Sequence, residues 1–536
     1  MKSRTDITRS EKSAKNLLYG VISQFVSVAF TFIVRIVLVR HIGILSVSLN
    51  GLFTEVIAIL SLAEMGVGSA IVYSLYKPLA ERDEKKIVKL MNMYKTAYRN
   101  IALAVFGIGL CLVPFIQNIV TKVDVSDGYI RLVFVLFLTQ TASSYLFSYK
   151  SSLLNADQKV YIVSKVTTIV KIVAEIINII LLFVFHNYIL YLIVEILLTL
   201  ATNIVISGQV DKMYPFLIRK DELLNVEKRM VFKNVKNIFI GSLSGKITNS
   251  TDNILISILV STYEVGIYTG YSTLAMGLRK LIDQVDAATA GSVGNLMAED
   301  DRDKCDQVLR KLTFINYFFG SLFASCLYCL SSTLVRIMYG LEYTYNADSM
   351  IGLMVVFCLC VNFFLTVLRN PLWRFMSVSG LFAKDKNISI AGSVVNLILS
   401  IILGIKFGTL GILLGTLASL VIQIILKIRL LYTERFKINS GKYYFRFIFY
   451  SGIGIVIMLL AKFISAEIAV GSLYIDFVLK AAVSIFVPLC MNYVFFCRTE
   501  EYVYLKELMW KFVTKMYTAL TPVISRLYKK RPFGKA

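Results

Sequence analysis

The chain has 536 residues, 57% of them hydrophobic and 17% charged, and a net charge of +23. One soluble core stops growing at roughly 250–300 residues, so this much apolar side chain excludes an ordinary soluble domain; the apolar residues fall in blocks of about 20, the length that crosses a bilayer as helix. The positive charge sits in short loops between those blocks, which argues against nucleic acid as a partner, and the roughly ten-residue alternation of a β-barrel strand is absent.

Residues 1–16 are polar with five Lys and Arg. The apolar stretch that follows, about 24 residues, is too long for a signal-peptide core and is expected to stay as a first span. The pattern predicts fourteen spans, at 17–39, 49–75, 98–120, 129–149, 160–185, 188–208, 237–260, 265–297, 312–335, 350–376, 388–406, 409–431, 447–465 and 473–496. Arg279, Lys280, Asp283 and Asp286 interrupt the eighth. The tail after Arg498 carries Leu505, Leu508, Met509, Phe512 and Met516 on one helical stripe, which suits a helix lying against anionic lipid.

With the N-terminus placed in the cytoplasm, the inward segments hold 45 of the 57 Lys and Arg, and the outward loops hold only Arg40, Lys122, Arg336 and Lys406. A wrong span count would scramble this bias after the error, so both termini are expected on the cytoplasmic side. The eight cysteines form no disulfide or metal framework; Cys326, Cys329, Cys358 and Cys360 lie in apolar spans as small buried side chains. The only two histidines, His41 and His186, fall at outer helix ends. No His-based catalytic or metal site is expected, and no Gly-x-x-x-x-Gly-Lys-Ser/Thr run binds ATP.

The chain resembles itself at an offset of 218 residues. Leu79-Ala80-Glu81 falls on Met297-Ala298-Glu299, Asp83 and Lys86 on Asp301 and Lys304, and Lys15-Asn16 on Lys233-Asn234. Gln24, Ser27, Thr31 and Arg35 share one helix face, and the offset carries them to Ser242, Gly245, Asn249 and Asn253, flanked by Lys246 and Asp252. Two such stripes should turn to an interior cavity and not to lipid. Six spans per half is an even number, so the halves run parallel, as suits lobes that rock about a centre. The predicted fold is therefore an all-α polytopic membrane protein of about fourteen transmembrane helices, with two six-helix lobes in parallel repeat plus two extra C-terminal helices. Its expected divisions are an N-lobe at 1–208, a cytoplasmic linker at 209–236, a C-lobe at 237–435, two further spans at 436–497 and a basic amphipathic tail at 498–536.

An ionisable group at mid-bilayer costs at least roughly 2.5–3.5 kcal/mol, so each needs a reason. Arg35, Lys246 and Arg279, with the polar Asn249 and Asn253, are candidates to bind an anion such as a pyrophosphate, for which a guanidinium fork is well shaped. Glu64, Asp252, Asp283 and Asp286 are candidates for a coupling H⁺ or Na⁺ or for holding the cations. Lys171 and Glu175 are i,i+4 partners that can neutralise each other. Glu195 lies in the sixth span with no assigned role, and Glu55 is placed near a span end.

The runs Leu62-Ala63-Glu64-Met65-Gly66-Val67-Gly68 and Ser250-Thr251-Asp252-Asn253 resemble those of the polysaccharide-export (Wzx-like) flippases of the multidrug/oligosaccharidyl-lipid/polysaccharide exporter superfamily. The resemblance extends to about residue 435. It implies a bacterial cytoplasmic (inner) membrane, alternating access, no catalytic residues, no cofactor, and an undecaprenyl-pyrophosphate-linked oligosaccharide as cargo for capsule or O-antigen assembly. It also implies membrane lipids and polysaccharide polymerase machinery as partners. A cation-coupled multidrug exporter or a peptidoglycan-precursor (lipid II) flippase of the same superfamily stays open, as does a membrane-embedded glycosyltransferase, for which the short outward loops leave little room.

Overall fold

The computed structural model describes residues 9–64, 67–219, 251–298, 301–345, 349–468, 470–510 and 514. Lys246 and Asn249, most of the expected linker, the first half of the seventh span and most of the tail lie outside the described residues, as does the side chain of Asp286. The helices are α1 (Arg9–His41), α2 (Ile44–Leu60), α3 (Val67–Glu81), α4 (Glu84–Leu112), α5 (Asp127–Ala156), α6 (Val160–Phe185), α7 (Tyr188–Met213) and α8 (Asp252–Leu259). They continue as α9 (Thr262–Ala298), α10 (Arg302–Tyr339), α11 (Met350–Leu368), α12 (Asn370–Val378), α13 (Phe382–Phe407), α14 (Thr409–Leu430), α15 (Gly441–Ala466) and α16 (Leu473–Phe496). No strand occurs among the described residues.

The protein is an all-α, multi-pass membrane protein of about fourteen spans. Eleven helices among the described residues are long and apolar enough to cross a bilayer. The three other expected spans each have a physical reason to be missing from that number. Span 2 is broken: α2 ends in a 3₁₀ turn at Ser61–Glu64, and α3 starts at Val67. Span 7 is described only from residue 251. Span 8 is the continuous helix α9, but Arg279, Lys280 and Asp283 dilute its hydropathy. Large apolar side chains such as Phe25, Phe463 and Phe486 stay exposed, a surface that a bilayer covers and water does not.

The internal repeat is written into the helix ends. His41 and Leu259 end α1 and α8, Ile44 and Thr262 start α2 and α9, and Glu84 and Arg302 start α4 and α10, all 218 apart. The caps repeat as well. Asp83 accepts from the Lys86 amide at 3.0 Å, and Asp301 accepts from the Lys304 amide at 3.1 Å, each satisfying an orphan N–H of the first turn.

Two compact units are present. The first comprises 1–277, 332–358 and 386–419. In it α1 packs on α6, α4 and α7 pack on α5, and α6 packs on α7. Its core includes Ile71, Leu75, Tyr94, Tyr98, Val105 and Leu153. The second comprises 278–331, 359–385 and 420–536. It is built on aromatic contacts: Tyr317 stacks on Tyr450 at 4.7 Å and Phe314 meets Phe496 edge-on at 5.3 Å. Such pairs add about 0.5–1.5 kcal/mol beyond area burial. The start of the tail docks here through Arg446–Glu501 at 2.8 Å and the buried Leu505, while Leu508, Met509 and Trp510 stay exposed.

Candidate functional site: a charged cavity among α1, α2, α6 and α7

The polar stripe of α1 faces protein. Thr31 and Arg35 line a cavity of about 170 Å³, together with Val34, Leu38, Val47, Asn50, Lys171, Glu175, Tyr191 and Glu195. Ser27, one turn before Thr31, accepts from Lys171 Nζ at 2.9 Å. On the other side of α1, Ile22, Phe25 and Ile33 are exposed. The amphipathic pattern thus sets the rotation of α1: apolar side chains outward, hydroxyls and Arg35 inward.

The cavity holds two cations and two carboxylates. Lys171 lies 4.0 Å from Glu175, one helical turn on, which is contact without a tight hydrogen bond. Glu195 accepts from Asn178 Nδ2 at 2.7 Å. Glu175 is only 6% exposed, and its Oε2 has no hydrogen-bond partner among the described residues. An unpartnered buried carboxylate oxygen is costly, so this site is prepared for a proton, a cation or water. At 170 Å³ the cavity is smaller than ligand pockets of about 300–1,000 Å³. It takes an ion, water or a single charged group, not an oligosaccharide.

Arg35 also reaches out of the cavity. Its Nη1 donates to Thr273 Oγ1 at 2.5 Å and to the Thr269 carbonyl at 3.3 Å, both on α9. Around these bonds α2 and α9 touch closely. A Cβ on Gly51 would stand 2.7 Å from Thr269 Oγ1, and one on Gly266 would strike Ser48 Oγ. Glycine at these two places is what lets the helices approach. Nearby, the loop after α4 is tied to the α8–α9 turn: Thr262 N–H donates to the Thr121 carbonyl at 3.1 Å, and Lys122 Nζ donates to the Val260 carbonyl at 2.7 Å. At the same end, His41 and His186 hydrogen-bond through their ring nitrogens at 3.0 Å.

The other candidates fall elsewhere. Asp252, the first residue of α8, accepts from Thr416 Oγ1 at 3.2 Å, and Thr416 in turn accepts from Asn396 Nδ2 at 3.0 Å. Tyr268 also bonds Asp252, and Glu55 acts on it electrostatically. This is a set of oxygens from four helices that can hold H⁺ or Na⁺. Asn253 donates to the Gly51 carbonyl at 3.3 Å, and its Oδ1 has no partner among the described residues. Glu64 ends the 3₁₀ turn within reach of the Tyr145 hydroxyl. Arg279 and Asp283 belong to the second unit, where they pair at 4.0 Å and are part exposed. Among the described residues no group of three or more His, Cys, Asp or Glu is placed to ligate a metal.

Sequence reasoning passed over Glu195, Asn178, Asn50 and Tyr191 as site residues. Glu195 carried a signal, being a lone acid in an apolar span. Asn50, Asn178 and Tyr191 carried none, since single polar residues in spans are common helix-to-helix contacts.

The sequence matches no protein-family model and no curated protein. Its fold has solved counterparts. One is the lipid II flippase MurJ in an inward closed conformation, with a TM-score of 0.60 at 17% identity, covering 89% of this chain and 98% of that one. Another is an inward-facing multidrug resistance transporter of the MATE family in the MOP superfamily, with a TM-score of 0.58 at 15% identity, covering 75% and 93%. The MATE multidrug transporter DinF-BH gives 0.55 at 17% identity, covering 81% and 98%. At these identities the likeness establishes the fold alone: the chain is folded as these solved proteins are.

Proposed function

We propose that the protein is a flippase that carries an undecaprenyl-pyrophosphate-linked oligosaccharide from the inner to the outer leaflet by alternating access, for surface polysaccharide assembly. The observation that carries this reading is the placement of Arg35 and Lys171 on the wall of a polar cavity among α1, α2, α6 and α7. Cations held there, at the cost of desolvation, suit a cargo whose charge is a pyrophosphate. The cavity's size fits the charged group alone; the sugar and the lipid tail need space outside it. The fold shared with the lipid II flippase is consistent with a lipid-linked cargo.

In this reading the expected lobes, 1–208, which supplies the whole cavity lining, and 237–435, rock against each other, and both termini lie in the cytoplasm, as the Lys and Arg bias suggests. The return step draws on an ion gradient. Asp252 with Thr416 and Asn396, and Glu175 with Glu195, are the two carboxylate sites available to H⁺ or Na⁺. Lys246, Asn249, Arg279, Asp283 and Asp286 are proposed to add charge and polarity to the cargo's path, and the basic tail is proposed to lie on anionic lipid.

Deleting the gene and extracting lipids tests the proposal. Lipid-linked repeat units should accumulate on the inner leaflet, and surface polysaccharide should be lost. Arg35→Ala should reproduce this at normal protein levels. A second reading, a cation-coupled multidrug exporter, draws on Glu175 and Glu195, which suit a cationic drug, and on the MATE likeness. It predicts unchanged glycolipids, new dye sensitivity and an Arg35→Ala variant that still exports.

A further inference from the structure

Arg35 is the one cavity residue that also bonds α9 among the contacts the described residues show. Its Nη1 is shared between Thr273 Oγ1 and the Thr269 carbonyl, and it lines the same 170 Å³ cavity as Lys171, Glu175 and Glu195. We propose that Arg35 is a cargo-sensing latch, which holds α1 against α9 while the cavity is empty of anion and releases α9 when a phosphate group enters. The proposal rests on the anionic-cargo reading above and adds to it a rule: the end of the bundle that the charge bias places outside opens only when cargo is present.

The competition follows from the donors. A phosphate binds a guanidinium best through two parallel N–H groups, with bonds roughly twice as strong as those to a neutral acceptor. One terminal nitrogen of Arg35 is already spent on a hydroxyl and a carbonyl of α9, and both are neutral acceptors. A phosphate that takes the terminal Nη1–Nη2 fork competes for Nη1 and draws it away from Thr273, and the latch requires this mode, since binding along the Nε–Nη2 edge would leave the Thr273 bond in place. Lys171, held by Ser27 at 2.9 Å, adds a second cation on the same side. With Arg35 released, the contacts that remain around α1 and α9 among the described residues include the Gly51–Thr269 and Gly266–Ser48 approaches of α2, the Asn253–Gly51 bond and the Thr121–Thr262 and Lys122–Val260 bonds. None of these involves a cavity residue, so none can report cargo. Arg35 can.

Val47 gives a readout. It is 1% exposed, lies on α2 and lines the cavity. In a C111S background, a V47C variant is labelled on intact cells with a membrane-impermeant maleimide, and in vesicles with farnesyl pyrophosphate or farnesol as probe. Thr273→Val removes the hydroxyl acceptor and leaves every charge of the cavity in place. It should raise Val47-site labelling about tenfold or more without any probe, since a hydrogen bond to a charged group is worth about one to two decades in an equilibrium constant. Thr273→Ser should restore the low level. In the parent, farnesyl pyrophosphate should raise labelling and farnesol should not. Binding of farnesyl pyrophosphate is measured separately by calorimetry. If it binds, yet Thr273→Val labels like the parent and the probe changes nothing, the latch is wrong and the anionic-cargo reading stands. If it does not bind at all, both fall.

Discussion

The hairpins α6–α7 and α13–α14 are the same part of the internal repeat, built in opposite ways. Both α6 and α13 have 26 residues, and their ends stand 222 apart, Val160 with Phe382 and Phe185 with Phe407. The second hairpin is closed by glycine. Gly411 lies directly on the Leu403 carbonyl, and Gly415 lies on the Ser400 backbone, where a Cβ would come within 2.5 Å of the amide nitrogen. Counted from Tyr188 and Thr409, where α7 and α14 start, the corresponding positions of α7 are Leu190 and Val194, side chains in place of the two glycines. The first hairpin joins its helices through the Asn178–Glu195 bond and lines the cavity with Glu175 and Glu195. Thr416, which bonds Asp252, stands where Glu195 stands in the first copy. The second hairpin is thus a tight strut, and the first a wall that carries charge.

The largest effect should come from breaking the strut. Gly411→Ala puts a methyl group onto backbone that cannot step aside. Overpacking costs about 1–3 kcal/mol and occasionally more, and a backbone obstruction belongs at the upper end. Thermal melting in detergent should show a large loss of stability or no folded protein. Leu190→Ala, at the matching site in the wall, should cost under about 1.5 kcal/mol, because only a half-buried side chain is trimmed. Equal losses at the two sites would mean that the hairpins do not differ in packing as described.

The wall should break electrically. Glu175→Leu leaves Lys171 in a nearly dry place without its carboxylate, at an expected cost of about 2–3 kcal/mol; Lys171 is 24% exposed, which keeps the loss below that of a fully buried pair. Lys171→Met combined with Glu175→Leu should recover most of that stability while transport stays lost. Melting curves and a glycolipid assay on the same two variants separate structure from function. Recovery of transport along with stability would reduce the pair to scaffolding. Asn178→Leu should cost less, about 1–2 kcal/mol, since it strands one oxygen of Glu195 without removing a charge.

The strut and the wall also show what a sequence can disclose. Span ends follow apolar length, so α6, at 160–185, and α16, at 473–496, stand where the hydropathy pattern predicts. The stripe from Ser27 to Arg35 points inward as its spacing requires. Span 2 departs from a single helix at the 3₁₀ turn Ser61–Glu64, where Glu64 meets Tyr145 and where Gly68, just beyond, lowers helix propensity. Span 10 departs because Pro371 restarts the chain after Leu368. The Arg35–Thr273 bond could not be read at all. It joins residues 238 apart, and nothing in one helix's pattern says which hydroxyl of another it will meet. The same holds for Asn178 and Glu195, whose meeting depends on the rotation of two helices at once.

The smallest effect lies at the hairpin turns, and it offers the cleanest comparison. His186 ends α6 with φ of 48°, and Gly408, 222 residues on, follows α13 with φ of 58°. The same left-handed turn is made once by histidine and once by glycine. A side chain in that conformation costs about 1 kcal/mol relative to glycine. His186 offsets this with its hydrogen bond to His41, worth about 0.5–1.5 kcal/mol. The two contributions nearly cancel, so His186→Gly alone should move the melting point little. In a His41→Ala background there is no bond left to lose, and the same change should stabilise by about 1 kcal/mol. Gly408→His, which gains no such partner, should destabilise by about as much; the Cβ itself has room, 3.6 Å from Val260. A His186→Gly change with the same effect in both backgrounds would show that the His41 bond contributes nothing, and that the first turn tolerates its strain for another reason.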